Sequence, residues 1–110
     1  MSVTVKVMVP TKELEAAQTT QYTCYAPVAI IDKIVCFNNS DTTASVLTVS
    51  VCPSGTTPAA ANQFVEKTIQ PLEAYLFPEL TGMALQVGDT VVTDPTNATL
   101  VFRMTGREIT

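Results

Sequence analysis

Valine occupies every second position from Val3 to Val9, with Thr4, Lys6 and Met8 between them. Strict alternation of this kind gives an extended strand two distinct faces, and an α-helix has a different period. The rhythm returns at Ser45–Cys52, where Leu47, Val49 and Val51 alternate with Val46, Thr48 and Ser50. It returns again over 99–105, with Leu100, Phe102 and Met104 set against Val101, Arg103 and Thr105. Composition points the same way. The chain carries 18 Thr, 14 Val and 5 Ile, so 37 of its 110 residues are β-branched. Such side chains are stiff at χ1 and suit a pleated surface better than a helix. The sequence therefore predicts an all-β protein.

Further strands are expected over 21–25, 30–38, 64–69, 83–87 and 90–93, bounded by Pro, Gly, Asn or Asp. Residues 74–80 look extended, but Pro78 confines them to an edge or a bulge. Both faces of 30–38 are largely apolar, which predicts a central strand with Asp32 and Lys33 near its exposed beginning. The turn-rich stretch 38–43 (NNSDTT) then joins it to Ser45–Cys52, and the two are expected to pair as a hairpin. A central place is also expected for 99–105. Only 11–18 (TKELEAAQ) has helix-forming composition, enough for a connection with one helical turn. Eight or nine short strands at this spacing predict a single antiparallel β-sandwich, jelly-roll or Ig-like. Residues 1–110 make one domain, with 1–18 as an N-terminal arm or edge strand.

Several function classes drop out. Histidine is absent, which removes His-based triads, His-ligated metals and imidazole proton shuttles. The net charge is −4, the isoelectric point is near 4.5, and the six Lys and Arg are scattered. Neither nucleic acid nor an anionic membrane is an expected partner for such a surface. Residues 1–10 alternate instead of running apolar, so they do not read as a signal peptide. Asp89 and Asp94 are explained by turn chemistry, and no nucleophile elbow or phosphate-cradling glycine loop is visible. No catalytic, cofactor-binding or metal-binding residue is expected, and no enzyme. Cys24, Cys36 and Cys52 are odd in number, lack a C-x-x-C spacing, and read as reduced, buried thiols. Aromatic pairs at Tyr22/Tyr25 and Tyr75/Phe77 read as core packing. If Tyr22, Tyr25 and Tyr75 instead ringed one concavity, a sugar-stacking face would be the reading.

Five stretches follow one another along the chain: TTQYT with Ala26-Pro27, AIIDKIV leading to Asn38, ASVLTVSV at 44–51, LQVGDT at 85–90 and the closing TGREI at 105–109. Their order resembles that of small structural proteins of tailed-bacteriophage virions. The likeness covers roughly residues 19–109. It implies a short β-sandwich of the decoration, cement or tail-associated type, with no catalytic residue to transfer. A subunit made in the host cytoplasm and residing in the virion is the implied setting, with the major capsid or tail protein as partner. The alternative is a tail- or fibre-associated module that binds a host surface glycan.

The valine-alternating start lies outside the resemblance. Its apolar stripe, Val3, Val5, Val7 and Val9, is the candidate partner-binding surface, with Lys6 solvated on the other face. The apolar share also exceeds what so small a core needs. A homo-oligomer is therefore expected, a trimer favoured, because cyclic association covers sheet edges.

Overall fold

A computed structural model describes residues 2–110. The strands are β1 (Val3–Glu13), β2 (Thr19–Thr23), β3 (Val28–Asn38), β4 (Ser45–Cys52), β5 (Gln63–Ile69), β6 (Ala74–Tyr75), β7 (Ala84–Gln86), β8 (Thr90–Pro95) and β9 (Leu100–Ile109). One sheet has the order β1-β9-β3-β6, with β7 also paired to β3; the other has the order β2-β8-β4-β5. Every pairing is antiparallel. The two short strands β6 and β7 together fill one place beside β3. With that, the interleaved order is a jelly roll, in which most successive strands change sheet. It is a β-sandwich, and the jelly roll is the one of the two expected topologies that occurs.

The core lies between the sheets. Leu100, Phe102 and Met104 of β9 and Ala29, Ile31, Ile34 and Cys36 of β3 form one side. Leu47, Val49 and Val51 of β4 with Val65 and Ile69 of β5 form the other. Inward alternation in β4 and β9 follows the sequence pattern, and both β9 and β3 are interior strands. All three cysteines are free and buried. Burial pushes the Cys36 thiol up to about 12 and raises that of Cys24 as well.

Four local expectations need correction. First, β3 and β4 do not form a hairpin; they lie in different sheets. β3 already has β9 on one side and β6 and β7 on the other, so β4 has no free edge to pair with. The intervening turn instead carries the chain across the sandwich. Asn38, fully buried, donates to the carbonyls of Thr43 at 2.9 Å and Ile69 at 3.0 Å and accepts from the Ser40 N–H at 3.1 Å. Turn composition predicts a reversal but not the plane in which the chain reverses.

Second, 11–18 holds no helical turn. β1 continues to Glu13, because β9 is long enough to pair Lys12 with Phe102 and Glu13 with Val101. Leu14 then drops into the core, and its N–H donates to the Leu100 carbonyl at 2.8 Å. Backbone pairing outweighs a helical preference too short to hold itself. Third, Asp32 and Lys33 sit mid-strand beside a bulge between Ile31 and Lys33, not at an exposed beginning. Fourth, only Ala74–Tyr75 of 74–80 is strand. Phe77 takes a left-handed φ of 48°, which turns the chain and seats its ring fully inside.

Gly88 ends the connection between β7 and β8. Its φ of 89° is left-handed, and a Cβ there would meet the Ser54 hydroxyl at 2.5 Å. Glycine suits both demands.

Candidate functional site

β1 is an outer strand of its sheet and pairs only with β9. Ser2 and Thr110 exchange both backbone hydrogen bonds, at 3.0 and 2.9 Å. In an antiparallel ladder such pairs recur every second residue. Thr4 and Lys6 therefore turn their N–H and C=O groups toward Glu108 and Gly106, their partners in register. Val3, Val5 and Val7 turn theirs toward the open edge, where no described residue meets them. Their side chains are exposed too, at 54%, 81% and 42%.

Val9 breaks the stripe. A bulge between Val7 and Val9 shifts the pleat, so Met8 and Val9 are both buried. Of the four valines expected to meet a partner, three are on the surface and Val9 is in the core.

The apolar face of β1 points away from the second sheet, and Lys6 is on the face turned toward it. The Lys6 ammonium donates to both carboxylate oxygens of Glu108 at 3.2 Å. The Tyr22 hydroxyl, from β2 in the other sheet, donates to Glu108 Oε2 at 2.5 Å. Thus Lys6 is paired rather than simply solvated, and the cluster ties the two sheets together at this end. The Tyr22 hydrogen bond, more than the nearby Lys6, holds the Glu108 carboxyl below the usual glutamate value, against an opposing effect of partial burial. Burial foremost, and then Glu108, pushes the Tyr22 phenol upward.

A carboxyl whose folded pKa is depressed stabilises the fold above its unfolded pKa, and that contribution is lost as pH falls through the folded value. The melting temperature is therefore expected to hold from neutrality down to about pH 5 and to drop below the ordinary glutamate value of 4.5. Tyr22→Phe should lower stability by ~1 kcal/mol at neutral pH and raise the Glu108 pKa. An NMR titration following the Glu108 side chain in both proteins checks this; an unchanged Glu108 pKa would contradict the role given to Tyr22.

The register carries the apolar surface inward from β1. Val3, Ile109, Val28 and Gln86 stand in one row across the sheet, and Val5, Arg107, Ile30 and Ala84 in the next. Alternate rows bury Ala29 and Leu85, so these two rows face outward. The one charge on them is matched: Arg107 forks onto Asp32, with Nε to Oδ2 at 3.0 Å and Nη2 to Oδ1 at 2.9 Å. An outer face of valine and isoleucine side chains, crossed by the Arg107–Asp32 pair, thus runs into an open strand edge. The β1 alternation was readable from sequence, but the rest of this surface was not, because Val28, Ile30, Ala84 and Ile109 meet only through non-local register.

The second sheet carries a different feature on its outer side. A cleft of about 290 Å³ is lined by Thr48, Ser50, Gln63, Asp94, Gln18 and Pro58, among others. None of the three tyrosines lines it. Tyr22 is buried, Tyr25 is 85% exposed, and Tyr75 packs edge-on against Phe77 at 4.8 Å while donating to Glu79 at 2.6 Å. They do not ring one concavity. Among the described residues, no group of three or more His, Cys, Asp or Glu is placed to hold a metal. The chain matches no protein-family profile and no curated protein sequence.

Proposed function

We propose that this protein is a non-enzymatic structural subunit of a tailed-phage virion, decorating the capsid by docking on its major protein. The observation that carries the reading is the outer face of the β1 sheet, where Val3, Val5, Val28, Ile30 and Ile109 stand together. An exposed apolar surface of this kind marks a protein contact. Jelly rolls serve as capsid domains and also as lectins, so the fold is compatible with the reading by analogy and does not select it.

Quantitative mass spectrometry of purified virions from the phage that encodes the chain tests this. Hundreds of copies per particle support decoration. About six to twelve would shift the assignment to the neck or tail, by the symmetry of closed rings, and absence from virions would overturn it.

The polar cleft of the second sheet favours a second reading, a tail-associated module for a host glycan. Its hydroxyls, amides and the Asp94 carboxylate suit sugar hydroxyls better than an apolar ligand. Glycan-array binding that disappears in Asp94→Ala would establish that reading in place of decoration.

A further inference from the structure

We infer that β1 pairs with β1 of a second copy, about a two-fold axis through Val5, to make one continuous sheet across a dimer. The inference goes beyond the virion reading and does not depend on it. In this register Val5 faces Val5, and Val3 of each copy faces Val7 of the other. All three are residues whose N–H and C=O groups point to the open edge, so each pair can exchange both backbone hydrogen bonds. A one-residue shift would set paired residues against unpaired ones and lose the ladder.

Charge fits the same register. Lys6 is the one charged residue between Val3 and Val7, and it falls opposite Thr4 of the second copy rather than another lysine. Its ammonium is already neutralised by Glu108 of its own chain. Six valines then form one apolar band across the axis, and Val5, 81% exposed in the single chain, becomes its centre.

The rest of β1 is protected against such pairing. Pro10 lacks a donor, and bulges follow Val7 and Val9. The other edges are guarded as well. β2 has five residues and a bulge, β6 and β7 have two and three, and β5 carries exposed Glu66. Residues 3–7 remain, a segment without a bulge whose one charge, Lys6, is already paired with Glu108.

Sedimentation and light scattering of the full chain should give a mass near twice the 11.8 kDa of one copy. Val5→Lys and Val5→Glu, each alone, should weaken self-association at least tenfold, because like charges then meet on the axis. Mixing the two variants should restore a dimer. Circular dichroism of both variants should match the parent, as expected for an exposed edge position.

Cysteine pairing fixes the register. Facing residues of a hydrogen-bonded pair lie about 5.5 Å apart at Cα, within disulfide reach. Val5→Cys should therefore crosslink to itself on mild oxidation. Val3→Cys and Val7→Cys should crosslink to each other but not to themselves, their own copies being about 14 Å apart along the strands. The native thiols are buried and do not compete. A monomer at hundreds of micromolar, a trimer, a dimer indifferent to Val5→Lys, or self-crosslinking of Val3→Cys would each overturn the proposal. None of these outcomes bears on whether the chain is found in virions.

Discussion

Gly106→Val is expected to destabilise the protein by ~3 kcal/mol or more, lowering its melting temperature by roughly 12–20 °C for a domain of this size. Gly106 lies in β9 between Lys6 of β1 and Ile31 of β3. A Cβ at this position would run into the Ile30 carbonyl oxygen, and would stand 2.6 Å from the end of the Met8 side chain. Met8 is flexible and can yield. The Ile30 carbonyl belongs to the backbone of an interior strand and cannot move without disturbing two ladders. The glycine is required for space, since its φ is outside the left-handed region. Gly106→Ala should show the same effect at smaller size, ~2 kcal/mol. Urea and thermal melts of both variants check the ordering. An alanine variant melting within about 2 °C of the parent would show that the strands part easily here, against this account.

Asn38→Leu is expected to cost ~3 kcal/mol, although it keeps the branched shape of the side chain and adds apolar surface in a fully buried site. The reason is what it strands. The Asn38 amide donates to the Thr43 and Ile69 carbonyls, and its oxygen accepts from the Ser40 N–H. Leucine would leave these backbone groups without that partner, at about 1–3 kcal/mol for each one buried from water. Its own backbone adds further ties, donating to Glu73 at 2.9 Å and accepting from Leu72 at 3.0 Å. One residue thereby joins the end of β3, the crossing turn, the end of β5 and the approach to β6. Ser40→Ala, which removes only the hydroxyl that accepts from the Thr42 and Thr43 N–H groups at the exposed end of the turn, should cost less than ~1 kcal/mol. Chemical denaturation of the two variants separates them. A cost for Asn38→Leu no larger than that for Ser40→Ala would show that water reaches these carbonyls in place of the amide.

The local chemistry of the chain determined a good deal by itself. Two-residue alternation dictated strands at β1, β4 and β9, and in β4 and β9 also the buried face. Pro, Gly, Asn and Asp marked where strands stop, because φ preferences and side-chain hydrogen bonds act over a few residues. Apolar surroundings kept three unpaired cysteines inside.

Tertiary structure decided everything that depends on which strand lies beside which. Alternation says that two faces differ, but the side that becomes the interior depends on neighbours and bulges. In β1 Val3, Val5 and Val7 went outward and Lys6 to the opposite face, because Glu108, itself held by Tyr22 from more than eighty residues away in sequence, supplies a carboxylate where the ammonium points. The stretch after Val9 became strand instead of helix because β9 offered a ladder to it. β3 and β4 parted because β3 was already paired on both sides. Register, too, is a long-range property, and it alone assembled Val3, Val28, Ile30 and Ile109 into one aliphatic surface beside an open edge.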